Sequence, residues 1–202
     1  MPIPAEAYKA LQSIVGSEWV SDDPAICEAD TRGGAFTGIM DRLAVRPACS
    51  VQPRSVEEVQ QITKVANRYK LPFIPTSTFY NAACAPVYDN TIVMDLKRMN
   101  KYEIDEENMY AIVEPGVSFS MLQTELFKRG LFTLSPGCGA QASVLANHIH
   151  LSEGGLGWRM GVGYRRLLAA EWVLPNGDIL KLGSRSMFRD FFWGEGPGPD
   201  LR

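Results

Sequence analysis

The segment that most limits how this chain can fold is RSVEEVQQITKVANRYK, residues 54–70. Ser55 stands where a helix N-cap would, and Glu58 follows three residues later, so the pair reads as a capping box. Val56, Val59, Ile62, Val65, Ala66 and Tyr69 recur at helical spacing and share one face. Pro72 stops the helix, because the residue before a proline is pushed out of the right-handed helical region. Short apolar runs flank it: RPACSVQP (46–53) before, and PFIP (72–75), which reads as a buried strand, after. A strand beside a capped helix, with apolar residues on both faces, predicts a sheet covered by helices.

The remaining elements are short. Residues 4–15 (PAEAYKALQSIV) have the spacing of an amphipathic helix, and Ser21-Asp22-Asp23-Pro24 is a helix-start or turn signal. Residues 29–43 are glycine-rich and irregular. TIVMDL (91–96) predicts a strand, followed by a turn at Met99-Asn100, an exposed strand, and IVEPGV (112–117), which opens a second helix. That helix, 118–129, starts at Ser118, turns Met121, Leu122, Leu126 and Phe127 inward, and ends at Gly130. EWVLPNGDILKLG (171–183) predicts a β-hairpin around Pro175-Asn176-Gly177-Asp178. A soft boundary near residue 97 separates a small α/β lobe from a larger lobe that begins a mixed sheet.

Composition narrows the function classes. Hydrophobic residues are 46% of the 202 and charged residues 21%, an ordinary globular balance. The net charge is -3 with no basic run, which argues against nucleic acid as the main partner. No apolar stretch approaches the ~20 residues of a membrane helix, and the N-terminus has no secretory pattern. The four cysteines, Cys27, Cys49, Cys84 and Cys138, form no CxxC pair, so neither a zinc site nor a disulfide framework is implied, and a reducing cytoplasm fits. His148 and His150 are the only histidines. With Glu153 alone near them in sequence, no metal site is expected.

Three stretches carry possible chemistry. The loop TSTFYNAACAP (76–86) follows PFIP and is made of small and hydroxyl residues. A diphosphate needs several backbone N–H groups turned to one side and side chains that allow close approach. Ser77, Thr78 and Asn81 can donate, and Ala82, Ala83 and Ala85 leave room, but no glycine lies between Pro75 and Pro86. Asn81 is the residue able to replace one by adopting φ > 0. EPGV (114–117) is a turn that lets a strand end and a helix begin. SPGCGAQASVLANHIHLSEGGLGWRMGVGY (135–164) places Gly154, Gly155, Gly157, Gly161 and Gly163 within ten residues. That density excludes a helix interior and suggests backbone passing close to a flat ligand or to itself. The stretch does not follow a strand and open a helix, so it is no Rossmann fingerprint.

Taken in order, over roughly residues 44–183, these segments resemble the flavin-binding domain of the vanillyl-alcohol-oxidase and p-cresol-methylhydroxylase family, also carried by D-lactate dehydrogenases and glycolate oxidases. The resemblance implies an α+β fold with two small subdomains gripping an FAD between them: 1–43 as lead-in, 44–97 as the first and 98–202 as the second. It implies that Thr76, Ser77, Thr78, Phe79, Tyr80 and Asn81 hold the FAD diphosphate. Pro115 and Gly116 would touch the cofactor, as would Pro136 and Gly137. Ser143, Asn147, Gly154, Gly155 and Gly157 would lie near the isoalloxazine and ribityl chain, and Val173 beside the adenine half. Some relatives link flavin covalently through His or Cys, which makes Cys138, His148 and His150 candidates.

The implied activity is hydride uptake by flavin N5 from a hydroxy acid, alcohol or phenol. Substrate-activating residues in such enzymes usually come from a cap domain, so no catalytic residue is assigned. FRDFFWGEGPGPDLR (188–202) ends after a Gly/Pro turn with three consecutive aromatics to cover, and is expected to be a truncation. The partners expected are a small-molecule substrate and either another chain or a missing C-terminal cap. The missing glycines keep a second reading open, a degenerate flavin-domain subunit with an assembly role.

Overall fold

The computed structural model describes residues 3–31, 44–80, 85–136, 139–150, 157–161 and 163–183. The first helix, α1 (Ala5–Val15), buries Ala7, Leu11 and Val15, one residue per turn along one stripe, and ends at Gly16 with φ 94. Strand β1 (Val20–Ser21) follows, then α2 (Pro24–Ala29), where the Asp23 carboxylate caps Ala25 N at 2.7 Å and Pro24 occupies the first turn. The helix expected at 55–69 is α3 (Val56–Tyr69), between β2 (Cys49–Val51) and β3 (Phe73–Thr76), and β4 (Ile92–Asp95) completes the set.

The capping box is half as expected. Glu58 N donates to Ser55 Oγ at 3.3 Å. The Glu58 carboxylate, however, takes Arg54 N (2.8 Å) and Arg54 Nε (3.1 Å) rather than the Ser55 N–H. The Arg54 guanidinium draws it one residue upstream. Thr63, absent from the expected stripe, is buried because its hydroxyl donates to Val59 O at 2.9 Å.

The four strands form a mixed sheet in the order β1-β2-β4-β3. β1 runs antiparallel to β2, and β4 runs parallel to both β2 and β3. Central β4 is buried at every position. β3, expected as a buried strand, is instead the half-buried edge, with Pro75 exposed. Proline has no N–H for a second ladder, so the edge is where this sequence fits. α1 packs on α3, and Leu11, Ile62, Ala66, Val51, Ile92 and Met94 make the centre of one apolar core.

The chain divides into two compact units, Met1–Asn100 with Pro175–Gly177, and Lys101–Leu174 with Asp178–Arg202. In the first, Gln60 Nε2 and Asn67 Nδ2 of α3 donate to the Gly177 and Pro175 carbonyls, each at 2.6 Å. In the second, β5 (Tyr102–Asp105) and β6 (Tyr110–Val113) pair antiparallel. They lead into α4 (Phe119–Lys128), capped by Ser118 Oγ on Met121 N at 3.3 Å. α4 buries Phe119, Leu122 and Leu126. Met121 and Phe127, expected inward, are 38% and 67% exposed: the core stripe runs through 119, 122 and 126, and these two flank it. Next come α5 (Val144–Ile149), α6 (Gly157–Met160), a 3-10 turn (Gly163–Arg166), and the expected hairpin of β7 (Ala169–Val173) and β8 (Ile179–Gly183). Among the described residues, no helix is long and apolar enough to cross a membrane.

Candidate functional site

In the first unit, the loop of interest leaves the sheet at the carboxyl end of β3, the side where parallel strands usually present ligands. Thr76, its first residue, is buried and sits directly across from Asp95, the last residue of β4. Ser77, Thr78, Phe79 and Tyr80 follow, all half-buried. Phe79 has φ 54. Glycine takes that left-handed conformation without penalty, whereas a bulky aromatic holds it only where its surroundings over-determine it. A residue of this hand beside right-handed or extended neighbours turns successive N–H groups to one side, the geometry of an anion nest. The sequence pointed to Asn81 for this role. Asn81, like Cys84, lies outside the described residues.

The carboxylate beside Thr76 is tied down on several sides. Asp95 accepts from Gln52 Nε2 (3.1 Å) and from Lys97 N (3.1 Å), and Lys97 Nζ lies 2.9 Å from it. Arg98 packs over the Trp19 ring, 3.8 Å from its centroid, and donates to Gln52 O at 2.7 Å. The acidic end of β4 is thus neutralised by its own neighbours, which keeps this edge from repelling a phosphate. Burial, and to a lesser extent the Asp95 charge, push the carboxyl of nearby Asp30 above its ordinary value, against a Ser50 hydrogen bond.

In the second unit, two sequence candidates meet. The EPGV turn is closed by Val117 N on Glu114 O at 3.1 Å. Ser143 caps α5, accepting from Ala146 N at 3.2 Å, and donates to Pro115 O at 2.7 Å. Val144 N on Val117 O (2.9 Å) completes the clip. The single proton of the Ser143 hydroxyl therefore goes to the turn. Gly116 lies in that turn, and Asn147 is half-buried on α5.

Pro136 lines an open cavity of about 390 Å³ with Phe119, Ser120, Gln123, Phe127 and Gly139. Gly137, Cys138, Gly154 and Gly155 lie outside the described residues. Gly157 opens α6, and Gly161, φ 77, closes it with a 2.8 Å bond back to Gly157 O. Of the clustered glycines, Gly157 and Gly161 stand at the ends of this single turn, and Gly163 opens the 3-10 turn that follows.

The two histidines diverge. His148 is buried, its Nδ1 2.7 Å from Val144 O, and its ring stacks on Phe119 with centroids 5.8 Å apart. Burial first, and the Arg166 charge after it, hold its pKa below the ordinary value, against the hydrogen bond to Val144. His150 is exposed at the end of α5. Val173 ends β7, half-buried.

Two donors here stand out only in the folded chain. Arg166 Nε and Trp172 Nε1 are buried with no hydrogen-bond partner among the described residues. Nothing in the spacing around Arg166 marks it, since only the folded chain shows that its Nε is covered.

Comparison with known proteins falls on the same segments. A family model described as an FAD binding domain matches residues 47–183. The flavoprotein subunit of 4-cresol dehydrogenase (hydroxylating) from Pseudomonas putida is 30% identical, covering 96% of this chain and 39% of its own length. The mitochondrial D-lactate dehydrogenase (cytochrome) of Arabidopsis thaliana is 35% identical over 69% of this chain and 25% of its own. A solved structure of p-cresol methylhydroxylase with substrate bound superposes with a TM-score of 0.82 at 26% identity, over 99% of this chain and 41% of the other. The chain thus spans about two fifths or less of the length of these relatives.

Proposed function

The chain belongs to the FAD-binding domain family, and from that premise we propose that it is the flavin-carrying part of an oxidoreductase whose substrate is a hydroxy acid, alcohol or phenol. FAD is the cofactor of this domain, and the fold is that of the p-cresol-methylhydroxylase type. The residues present suit that cofactor. Phe79 holds a left-handed backbone in a loop without glycine, a conformation from which an anion nest can be built, and Arg166 Nε and Trp172 Nε1 are buried donors awaiting acceptors such as a flavin or adenine offers. Bound FAD supplies a hydride acceptor at flavin N5. The kinship with 4-cresol dehydrogenase and D-lactate dehydrogenase supports that chemistry for the whole protein.

The observation that carries the reading is the strained Phe79 turn at the carboxyl end of β3. In this reading Thr76, Ser77, Thr78, Phe79 and Tyr80 hold the diphosphate, with Asn81 next in the loop. The neutralised Asp95 lets the phosphates approach. Pro115, Gly116, Pro136, Gly137, Ser143, Asn147, Gly154, Gly155, Gly157 and Val173 line the remainder of the cofactor, mostly through backbone. Ser143 acts by fixing the EPGV turn rather than by donating its hydroxyl. His148 is a core histidine that shapes α5, so of the two histidines exposed His150 is the better candidate for a covalent flavin link. A substrate-covering segment comes from further chain or from a partner. Cys27 and Cys49, free and buried, suit a reducing cytoplasm.

The glycine-free loop favours a second reading, a flavin-domain subunit that no longer binds FAD and serves assembly. One experiment separates the two. The purified chain is titrated with FAD, followed by quenching of flavin fluorescence and by visible absorption, then acid-precipitated to see whether the yellow colour leaves with the supernatant. Saturable binding that Ser77→Glu weakens at least tenfold supports the oxidoreductase reading, because a carboxylate there repels the diphosphate. No binding at excess FAD leaves the assembly role.

A further inference from the structure

We infer that the open cavity of about 390 Å³ beside α4 is a binding site for a neutral aromatic carbonyl compound, with Gln123 as the donor to its carbonyl oxygen. The inference does not rest on the FAD reading. Among the described residues read as cofactor contacts, only Pro136 lines this cavity. Three observations on the second unit carry it.

The first is how the cavity is built. The chain after α4 runs back along the helix and is pinned to it at two places. Thr133 N donates to Gln123 Oε1 at 3.2 Å. Further on, Ser120 N donates to Ala140 O at 2.8 Å and Phe119 N to Ala142 O at 3.0 Å. Between the pins the segment stands off the helix, and Pro136 and Gly139 wall the gap together with Gln123 and Phe127 of α4. Phe119, held by its stacking on His148, is a fixed part of the same lining. Hydrogen bonds to the backbone therefore hold the space open.

The second is an unmet donor in that lining. Thr133 N fixes the Gln123 amide through its oxygen, while Gln123 Nε2 is covered and has no hydrogen-bond partner among the described residues. Such a donor is costly to leave unpaired. The hydroxyls on this side of the cavity are already served. Thr124 Oγ1 donates to Ser120 O at 2.7 Å, and Ser120 Oγ pairs with Ser118 Oγ at 2.8 Å. Gln123 is left as the donor for an incoming acceptor. Phe127, one turn further along α4, is two-thirds exposed and can swing aside as that acceptor enters.

The third is the chemistry of the lining. Phe119, Phe127 and Pro136 offer ring surfaces, and none of the lining side chains is ionisable. Glu125 and Lys128, charged residues of the same helix, bond each other at 2.6 Å. With no cation to replace its hydration, a carboxylate or phosphate loses more than it gains on entering. A neutral ring with one acceptor keeps the apolar contacts and takes the Gln123 N–H. Size agrees, since roughly 150 Å³ already holds benzene.

The test titrates para-fluoroacetophenone into the purified chain and follows its fluorine NMR line width. The charged probe of similar size is para-fluorobenzoate. Saturable binding of the ketone is expected, with the benzoate at least tenfold weaker. Gln123→Glu keeps the acceptor for Thr133 N and removes the donor, so it should weaken ketone binding at least tenfold. Ala140→Leu leaves its backbone bond to Ser120 in place and fills the cavity. It should have the same effect, and it serves if the Gln123 variant does not fold. Saturating FAD should leave the ketone's affinity unchanged.

No saturable binding of the ketone would overturn the inference. So would wild-type affinity in a folded Gln123→Glu or Ala140→Leu variant, which would place the ketone elsewhere. Benzoate binding as tightly as the ketone would refute the neutral class. Displacement of the ketone by FAD would assign the cavity to the cofactor and overturn the inference while supporting the function reading. A chain that binds the ketone but no FAD would leave this inference standing and the function reading refuted.

Discussion

The Ser143 hydroxyl donates to the Pro115 carbonyl at 2.7 Å while accepting from Ala146 N, so one side chain both starts α5 and fixes the EPGV turn. Pro115 and Ser143 are 28 residues apart and were expected at the cofactor for separate reasons. What joins them is a partly buried hydrogen bond that ties the EPGV turn to the start of α5.

Ser143→Ala is therefore expected to act on stability before it acts on FAD. It removes an N-cap, worth about 1 kcal/mol, and leaves the Pro115 carbonyl without its donor, roughly another 1 kcal/mol. Urea denaturation of the FAD-free protein should show a fall of about 2 kcal/mol with an unchanged slope, and Ser143→Thr should recover about half of it. An unchanged midpoint in Ser143→Ala would mean that the clip contributes nothing.

Phe79 gives a prediction about backbone rather than side chain. Its φ of 54 is left-handed, a region costing non-glycine residues about 1–2 kcal/mol. Phe79→Asn and Phe79→Val both lose the aromatic ring, but asparagine tolerates this region and a β-branched residue does not. Phe79→Asn should be more stable than Phe79→Val by about 1 kcal/mol and should keep FAD affinity nearer to wild type. Equal stability and affinity for the two would show that the turn does not depend on this φ.

Much of the architecture was legible in the sequence because local signals and burial agree. Ser55 and Ser118 each start a helix as read, whereas the helix that Ser143 caps was not read from the sequence. The Pro175–Asp178 turn joins two paired strands. Where the sequence misled, tertiary placement decided. PFIP, an apolar run, looked like a buried strand, but Pro75 needs an edge. Met121 and Phe127 looked like core because they are apolar, yet they stand beside the stripe through Leu122. That Phe79 takes a left-handed backbone in the glycine-free loop is likewise nothing that composition can reveal. Arg166 and the Trp172 indole were invisible as unpartnered donors, because a missing partner is a property of the folded chain.

His148 supplies a prediction in pH. Its folded pKa lies below the ordinary ~6.5 of an unfolded histidine. As pH falls below that value the unfolded chain takes up a proton that the folded chain resists, so the unfolded state binds more protons and stability decreases. The contribution is fully present above the unfolded pKa and is lost as pH falls towards the folded one, with a slope approaching about 1.4 kcal/mol per pH unit. His150, the other histidine, is exposed, so a substitution at 148 isolates the effect. His148→Gln can still donate to Val144 O from the same turn, and it should flatten the difference in stability between pH 7 and roughly pH 5.5. The check is a series of urea unfolding curves for both proteins across that range. A wild-type curve no steeper than that of His148→Gln would mean that the imidazole is as easily protonated in the fold as out of it, and that its burial against Phe119 exerts no such effect.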